Sequence, residues 1–107
     1  MFCLCNSIFN NIIIDGWGGI DIEKSFNNQI GNNQFLDNEC GVALSVYSKN
    51  NTIFDNNFTN NGVAVWDLSY PNYFYGNSIN GKPFTYLVNE QDKIIDGTPS
   101  GQMVLID

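Results

Sequence analysis

The stretch "NNTIFDNNFTNNGVAV", residues 50–65, decides the reading of the whole chain. Asparagine is a poor strand and helix residue that ordinarily marks a turn. Single apolar residues scattered among asparagines would therefore read as disorder, unless the spacing recurs. It recurs. Asn51, Ile53, Asn56 and Phe58 set the pattern N-x-(I/F)-x-x-N-x-(I/F). Asn6, Ile8, Asn11 and Ile13 meet it, as do Asn28, Ile30, Asn33 and Phe35, and Asn72, Phe74, Asn77 and Ile79. The starts lie 22, 23 and 21 residues apart. Between them stands a glycine with alternating apolar residues, "GIDI" from Gly19, "GVAL" from Gly41 and "GVAV" from Gly62. A further column precedes each start: Cys3, Ser25, Ser48 and Ser69. Self-similarity at a fixed period of about 20–50 residues is the mark of a stacked architecture.

Composition sets the bounds. The chain has 107 residues, one domain's worth, and 43% are hydrophobic, so a core can form and wholesale disorder is excluded. Only 14% are charged, with no Arg and no His, and the net charge is -7 with a pI of about 4.1. That balance argues against nucleic acid and anionic membranes as partners. It also argues against polyanionic sugars unless a cation bridges the contact, and leaves neutral glycans, cations or a partner protein. No apolar run approaches the roughly 18 residues a membrane span needs. The N-terminal "MFCLCNSIFNN" has no basic leader and enters the first repeat at Asn6, so no export signal is expected in this stretch. The 3 cysteines are an odd number, which excludes a complete disulfide framework.

A period near 22 residues is too short for helix-pair repeats, and the apolar residues alternate as in short strands. Stacked turns bring equivalent residues about 4.8 Å apart, the spacing of paired strands, so each apolar column becomes a continuous core stack. The expected fold is all-β, a right-handed parallel β-helix of about four turns of 21–23 residues starting at Asn6, Asn28, Asn51 and Asn72, over residues 1–80. The asparagines then form two columns, Asn6, Asn28, Asn51 and Asn72, and Asn11, Asn33, Asn56 and Asn77. Stacked Asn side chains at the corners hydrogen-bond one another and the backbone. Residues 81–107 depart from the pattern. They read as an irregular excursion and final strand of the same solenoid: strands near Phe84–Val88, Lys93–Ile95 and Gln102–Ile106, a turn at Glu90–Asp92, and breaks at Pro83 and Pro99. Phe2 and Leu4 read as the tail of a preceding turn. No polar cap is visible at either end, so a fragment of a longer solenoid is expected, with end-to-end association as a prospect.

"NNTIFDNNFTNNGVAV" and "NYFYGNSINGKPFTYLVNEQDKIIDG…GQMVLI" together resemble the right-handed β-helix repeats of NosD-type proteins, within the wider carbohydrate-binding and sugar-hydrolase (CASH) repeat group. The "NGKP" followed by an apolar strand, an excursion ending in "DG" and then "GQ" resembles the segment that interrupts the helix in that group. The resemblance runs from Asn6 to Ile106. It implies a periplasmic, cell-surface or secreted solenoid, with an accessory part in copper-enzyme maturation in some members and sugar binding or hydrolysis in others. Fold likeness alone does not assign function.

The residues themselves discriminate among these. Copper takes Cys, Met and His. The chain has no His, and Cys3 and Cys5 fill columns occupied elsewhere by Ser25, Ser48 and Ser69 and by Asn27 and Asn50, so they read as small turn residues; Cys40 lies beside the Gly41 corner. No metal site and no cofactor are expected. Glycoside hydrolysis needs two placed carboxylates. Asp15 and Asp37 share a column, and at about 5 Å they would repel by about 1 kcal/mol in water, so they read as a solvated face or a cation contact. Lys24, Lys49, Lys82 and Lys93 form no column to support a lyase, and no catalytic residue is assigned. Phe9, Gly31, Phe54 and Tyr75 stand beside the inward Ile column, with Tyr73 and Trp66 also expected outward. These aromatics suit the apolar faces of neutral sugars, unless the excursion after Gly81 or another chain covers them. Asn57-Phe58-Thr59 is a formal glycosylation sequon at a core position, which informs little. The expectation is a non-catalytic β-helix module outside the cytoplasm that binds carbohydrate or protein or acts as a scaffold. The alternatives are a piece of a carbohydrate-active enzyme with its catalytic turns elsewhere, and a copper-maturation accessory.

Overall fold

The computed structural model describes residues 5–66, 69, 71–88 and 102–106. The expectations placed on Phe2, Cys3, Leu4, the Glu90–Asp92 turn, the Lys93–Ile95 strand and Pro99 lie outside these residues. Each repeat folds as three short strands. The first turn holds β1 (Ser7–Phe9), β2 (Ile12–Ile14) and β3 (Gly18–Glu23); the second β4 (Gln29–Gly31), β5 (Gln34–Leu36) and β6 (Cys40–Ser45). The third holds β7 (Thr52–Phe54), β8 (Asn57–Thr59) and β9 (Val63–Val65), and the fourth β10 (Tyr73–Tyr75) and β11 (Ser78–Ile79). Successive turns stack in register as parallel sheets: β1-β4-β7-β10 on the first side, β2-β5-β8-β11 on the second, β3-β6-β9 on the third. The chain is a parallel β-solenoid with three complete turns and two sides of a fourth.

The fourth turn is left open because Asn80 and Gly81, at φ 51° and 79°, reverse the chain into β12 (Lys82–Val88), antiparallel to β11. Two residues with positive φ between antiparallel strands make the hairpin turn that Asn-Gly favours. Pro83, expected to mark a break, sits inside β12. It opposes Ser78 in a pair that makes no ladder bond, while Phe84 N–H donates to Asn77 O at 3.1 Å, so the missing proline N–H costs nothing. β13 (Gln102–Ile106) then pairs parallel to β12. Beyond β11, β12 and β13 continue the second sheet. Phe84 and Tyr86 lie over Phe74, with ring centroids 5.2 and 4.4 Å away. The Gln102 amide accepts from Val63 N–H at 2.9 Å and donates to Val63 O at 2.6 Å, the pair of bonds a next strand would make to the edge of β9.

The interior is the set of columns that alternation points inward: Ile8, Ile30, Ile53, Phe74 on the first sheet; Ile13, Phe35, Phe58, Ile79 on the second; Ile20, Val42, Val63 and Ile22, Leu44, Val65 on the third. Phe35 and Phe58 stack at 4.7 Å with only 6° between their planes.

The doubled asparagines divide their work. At most corners the first of the pair takes positive φ and faces solvent, as Asn27, Asn32, Asn50 and Asn60 do; in Asn56-Asn57 that place falls to Asp55, and Asn56 is the inward residue. Asn28, Asn33 and Asn51, each the second of its pair, turn inward and are buried. In the inward column each Oδ1 accepts from the backbone N–H and Nδ2 of the Asn one turn earlier: Asn28 onto Asn51 at 3.0 and 2.8 Å, Asn51 onto Asn72 at 3.0 and 3.0 Å. The column Asn11, Asn33, Asn56 and Asn77 repeats this arrangement. A third corner works alike: Gly16 N–H donates to Asn38 Oδ1 at 2.9 Å, and Asn38 Nδ2 and Asn61 Nδ2 donate to Ile13 O and Phe35 O. The serine column completes the set, with Ser25 N–H donating to Ser48 Oγ and Ser48 N–H to Ser69 Oγ.

One corner is poorly matched to its backbone. Between Ser45 and Ser48 the chain reverses with Ser48 N–H on Ser45 O at 3.2 Å, placing Val46 at φ 48° and Tyr47 at φ 61°. A β-branched residue in the left-handed region is an outlier, and each such residue costs about 1–2 kcal/mol where Asn or Gly costs little. Both side chains are exposed, so no packing is at stake. The double substitution Val46→Asn/Tyr47→Gly is expected to stabilise the fold by about 1 kcal/mol, read as a higher urea midpoint at constant slope. An unchanged or lower midpoint would mean that this corner is not strained.

Candidate functional site

The three sides of the solenoid carry different chemistry on their outer faces. On the first sheet the outward positions form two columns, Ser7, Gln29, Thr52, Tyr73 and Phe9, Gly31, Phe54, Tyr75. None of these eight side chains is charged. The second column makes a nearly continuous aromatic strip. Phe54 and Tyr75 stack at 5.2 Å and 18°, and Phe9 meets Phe54 edge-on at 5.9 Å across the intervening turn. Gly31 makes that reach possible, because the Phe54 ring lies across it; a Cβ there would stand 2.6 Å from Phe54 Cε2. Exposed Asn27 and Asn50 flank the strip on one side and Asn10 and Asn32 on the other, where Asp55 is the one carboxylate at this edge among the described residues. The face thus offers aromatic surface, hydroxyls and amides, with almost no charge. Phe9, Tyr73 and Tyr75 are exposed, and β12 covers Phe74 on the inner side of β10 rather than this strip.

Trp66 does not join them. It is exposed, but it follows β9 on the third sheet, where its N–H donates to Leu44 O at 2.8 Å. Period-2 counting gave its orientation but not which side of the solenoid it occupies.

Asp15 and Asp37 occupy consecutive rungs of the corner after the second sheet, with Asp15 N–H on Leu36 O and Asp37 N–H on Thr59 O. Both are exposed, both have positive φ, and Asp37 Oδ1 accepts from Asn60 Nδ2 at 2.8 Å. Their place in the backbone is that of the corner asparagines, which accounts for them without a ligand. Among the described residues no three His, Cys, Asp or Glu side chains converge as a metal site would require. Cys5 is an exposed corner residue at φ 60°. Cys40 stands at the start of β6, where its thiol donates to Val42 O at 3.3 Å; burial pushes its pKa above the ordinary thiol value, which disfavours the thiolate that metals take. With no histidine in the chain and Cys5 and Cys40 on separate elements, no donor set among the described residues fits a copper centre.

Neither a curated protein nor a solved structure matches the chain. A family profile does, over residues 2–97, and the family is described as periplasmic copper-binding protein (NosD). That description supports a place outside the cytoplasm, and among the described residues no helix is long and apolar enough to cross a membrane. With nearly its whole length matched and its β-solenoid built from the repeats themselves, the chain belongs to the NosD family.

Proposed function

We propose that this stretch is a non-catalytic binding module acting outside the cytoplasm, and that the outer face of its first sheet takes a neutral carbohydrate. The observation that carries the reading is the uncharged aromatic strip Phe9, Phe54 and Tyr75, with Tyr73 in the column beside it, on a chain of net charge -7. Apolar C–H faces of pyranose rings pack on exposed aromatic rings, while Ser7, Gln29, Thr52 and the flanking asparagines supply donors and acceptors for hydroxyls. A rigid sheet with equivalent groups on every rung holds these positions without an ordering cost on binding. Family membership favours an accessory part over catalysis, and the copper in the family description finds no fitting donors among these residues.

Calorimetric titration with neutral oligosaccharides, set beside uronate polymers of equal length, tests the reading. At least one neutral series is expected to bind, and Phe54→Ala or Tyr75→Ala to weaken it about tenfold, the equivalent of about 1.4 kcal/mol. Binding that survives both substitutions, or no neutral binding at millimolar ligand, would sink it.

A further inference from the structure

The charge missing from the first sheet is gathered elsewhere. The described carboxylates other than Asp55 are Asp15, Asp21, Glu23, Asp37 and Glu39, on the third sheet and on the corner that leads into it, in the first two turns. The same corner and the strand before it carry three well-exposed apolar side chains. Ile12 and Ile14 point outward from β2 at 64% and 53% exposure, and Trp17, across the Asp15–Gly16 corner, is 85% exposed. In the next turn their places are taken by Gln34, partly buried Leu36 and Glu39, so the apolar surface is local and not a property of the repeat. The carboxylates border it. Asp15 and Asp37 stack at the corner, Glu39 lies one rung beyond Trp17, and the Asp21 carboxylate rests against Gly18, the residue after Trp17. No lysine stands on this side of the first two turns; Lys24 and Lys49 lie at the corner between the third and first sheets.

We propose that the Ile12–Ile14–Trp17 face with its carboxylate rim is a docking surface for a protein segment that presents an apolar anchor flanked by Lys or Arg. Exposed tryptophan and isoleucine together mark an interaction surface, and tryptophan is the commonest anchor at interface centres. The rim specifies the sign of the partner: opposite charge steers encounter and fixes register, while like charge across an interface repels. A second copy of this chain meeting the patch face to face would set carboxylate columns against each other, which selects a basic partner over self-association. The face is separate from the aromatic strip of the first sheet, so the two proposals stand or fall independently.

The test uses the full chain carrying Trp66→Phe, which leaves Trp17 as the single indole of the 2 in the sequence. The probe is a synthetic peptide of alternating Lys and Leu; an all-Lys peptide and an alternating Glu–Leu peptide of the same length are the controls. The Lys–Leu peptide is expected to bind with a blue shift of Trp17 emission and a Kd that rises with salt. Asp15→Asn/Asp37→Asn is expected to weaken it at least tenfold, Trp17→Ala likewise when followed by peptide anisotropy, while Asp55→Asn and Phe54→Ala leave it unchanged. All these residues are on the surface, and circular dichroism checks that the variants stay folded. Equal binding of the all-Lys peptide without the shift reduces the face to net charge, and equal binding of the Glu–Leu peptide reduces it to stickiness; either overturns the proposal. So does the absence of binding, an equal loss with Asp55→Asn, or a peptide-free shift with doubled mass in light scattering, which would put a second copy on the face.

Discussion

Replacing Asn56 with alanine is expected to remove about 4 kcal/mol of stability, against about 1 kcal/mol for Asn11→Ala in the same column. Asn56 is fully buried, and its side chain makes four hydrogen bonds. Its Oδ1 accepts from Asn33 N–H at 2.9 Å and Asn33 Nδ2 at 3.1 Å; its Nδ2 donates to Ile30 O at 3.0 Å and Asn77 Oδ1 at 3.0 Å. Two of the partners keep a second bond after truncation. Asn33 Nδ2 still donates to Ile8 O, and Asn77 Oδ1 still accepts from the backbone of residue 56. Asn33 N–H keeps nothing, while Ile30 O stays in the ladder between β4 and β7; the buried orphan costs about 1–3 kcal/mol, to which the other lost bonds and the cavity add. Asn11 is exposed, so water replaces what its side chain gives to Phe9 O. For a domain stable by about 5–15 kcal/mol, the first loss is large. Urea unfolding of both variants decides it. Losses within about 1 kcal/mol of each other would mean that the core stacks, not the buried ladder, hold the turns together.

The ladder also shows what the sequence did and did not disclose. Two Asn columns and their phase were legible from spacing alone, because a solenoid repeats each role at a fixed interval. The division of labour within "NN" was not. Both positions are asparagine in turn after turn, and only the backbone shows that one supplies positive φ and the other an inward amide. Hydrogen-bond need can nonetheless be read where the residue changes: Cys5, Asp55 and Gly76 replace asparagine at corner positions, and no residue but Asn fills the inward columns. The third corner is not legible in the sequence, because Gly16 breaks its column and leaves Asn38 and Asn61 as a pair too short to register as a repeat. The hairpin carries a readable signal, the Asn80-Gly81 dipeptide between Ile79 and Lys82, that the repeat pattern masks. Trp66 reads as one of the outward aromatics but stands apart from the strip, because alternation gives the face of a strand and not the side of the solenoid. The aromatic strip itself was legible, since Phe9, Phe54 and Tyr75 hold one position in the repeat. The docking face is not, for Ile12, Ile14 and Trp17 share their positions with Gln34, Leu36 and Glu39, and only their exposure singles them out.

Gly41→Ala is expected to cost about 3 kcal/mol, and Phe58→Leu to take back part of that cost. Gly41 is buried at the corner where the third sheet begins, and Phe58 reaches across the interior from the second sheet into the space a side chain would fill. A Cβ on Gly41 would stand 2.5 Å from Phe58 Cδ1 and closer still to Asn61 Oδ1. Phe58 cannot swing away, because it is 1% exposed and stacked on Phe35 at 4.7 Å. Overpacking of this kind costs about 1–3 kcal/mol, toward the upper end where the neighbours are rigid. Shortening the ring removes one of the two collisions, so in a double-mutant cycle the pair should cost at least about 1 kcal/mol less than the sum of the single substitutions. Gly62 is the internal control. One turn later the residue in the Phe58 column is Ile79, and a Cβ would meet the amide of Gln102, the far end of a side chain rather than a packed ring. Gly62→Ala should therefore cost about 1 kcal/mol, the loss of the Gln102 bonds to Val63. If Gly41→Ala and Phe58→Leu prove additive, the glycine column serves the corner's backbone and not the aromatic stack. The alternation of Gly and Phe between facing columns would then be coincidence rather than the device that lets the turns close.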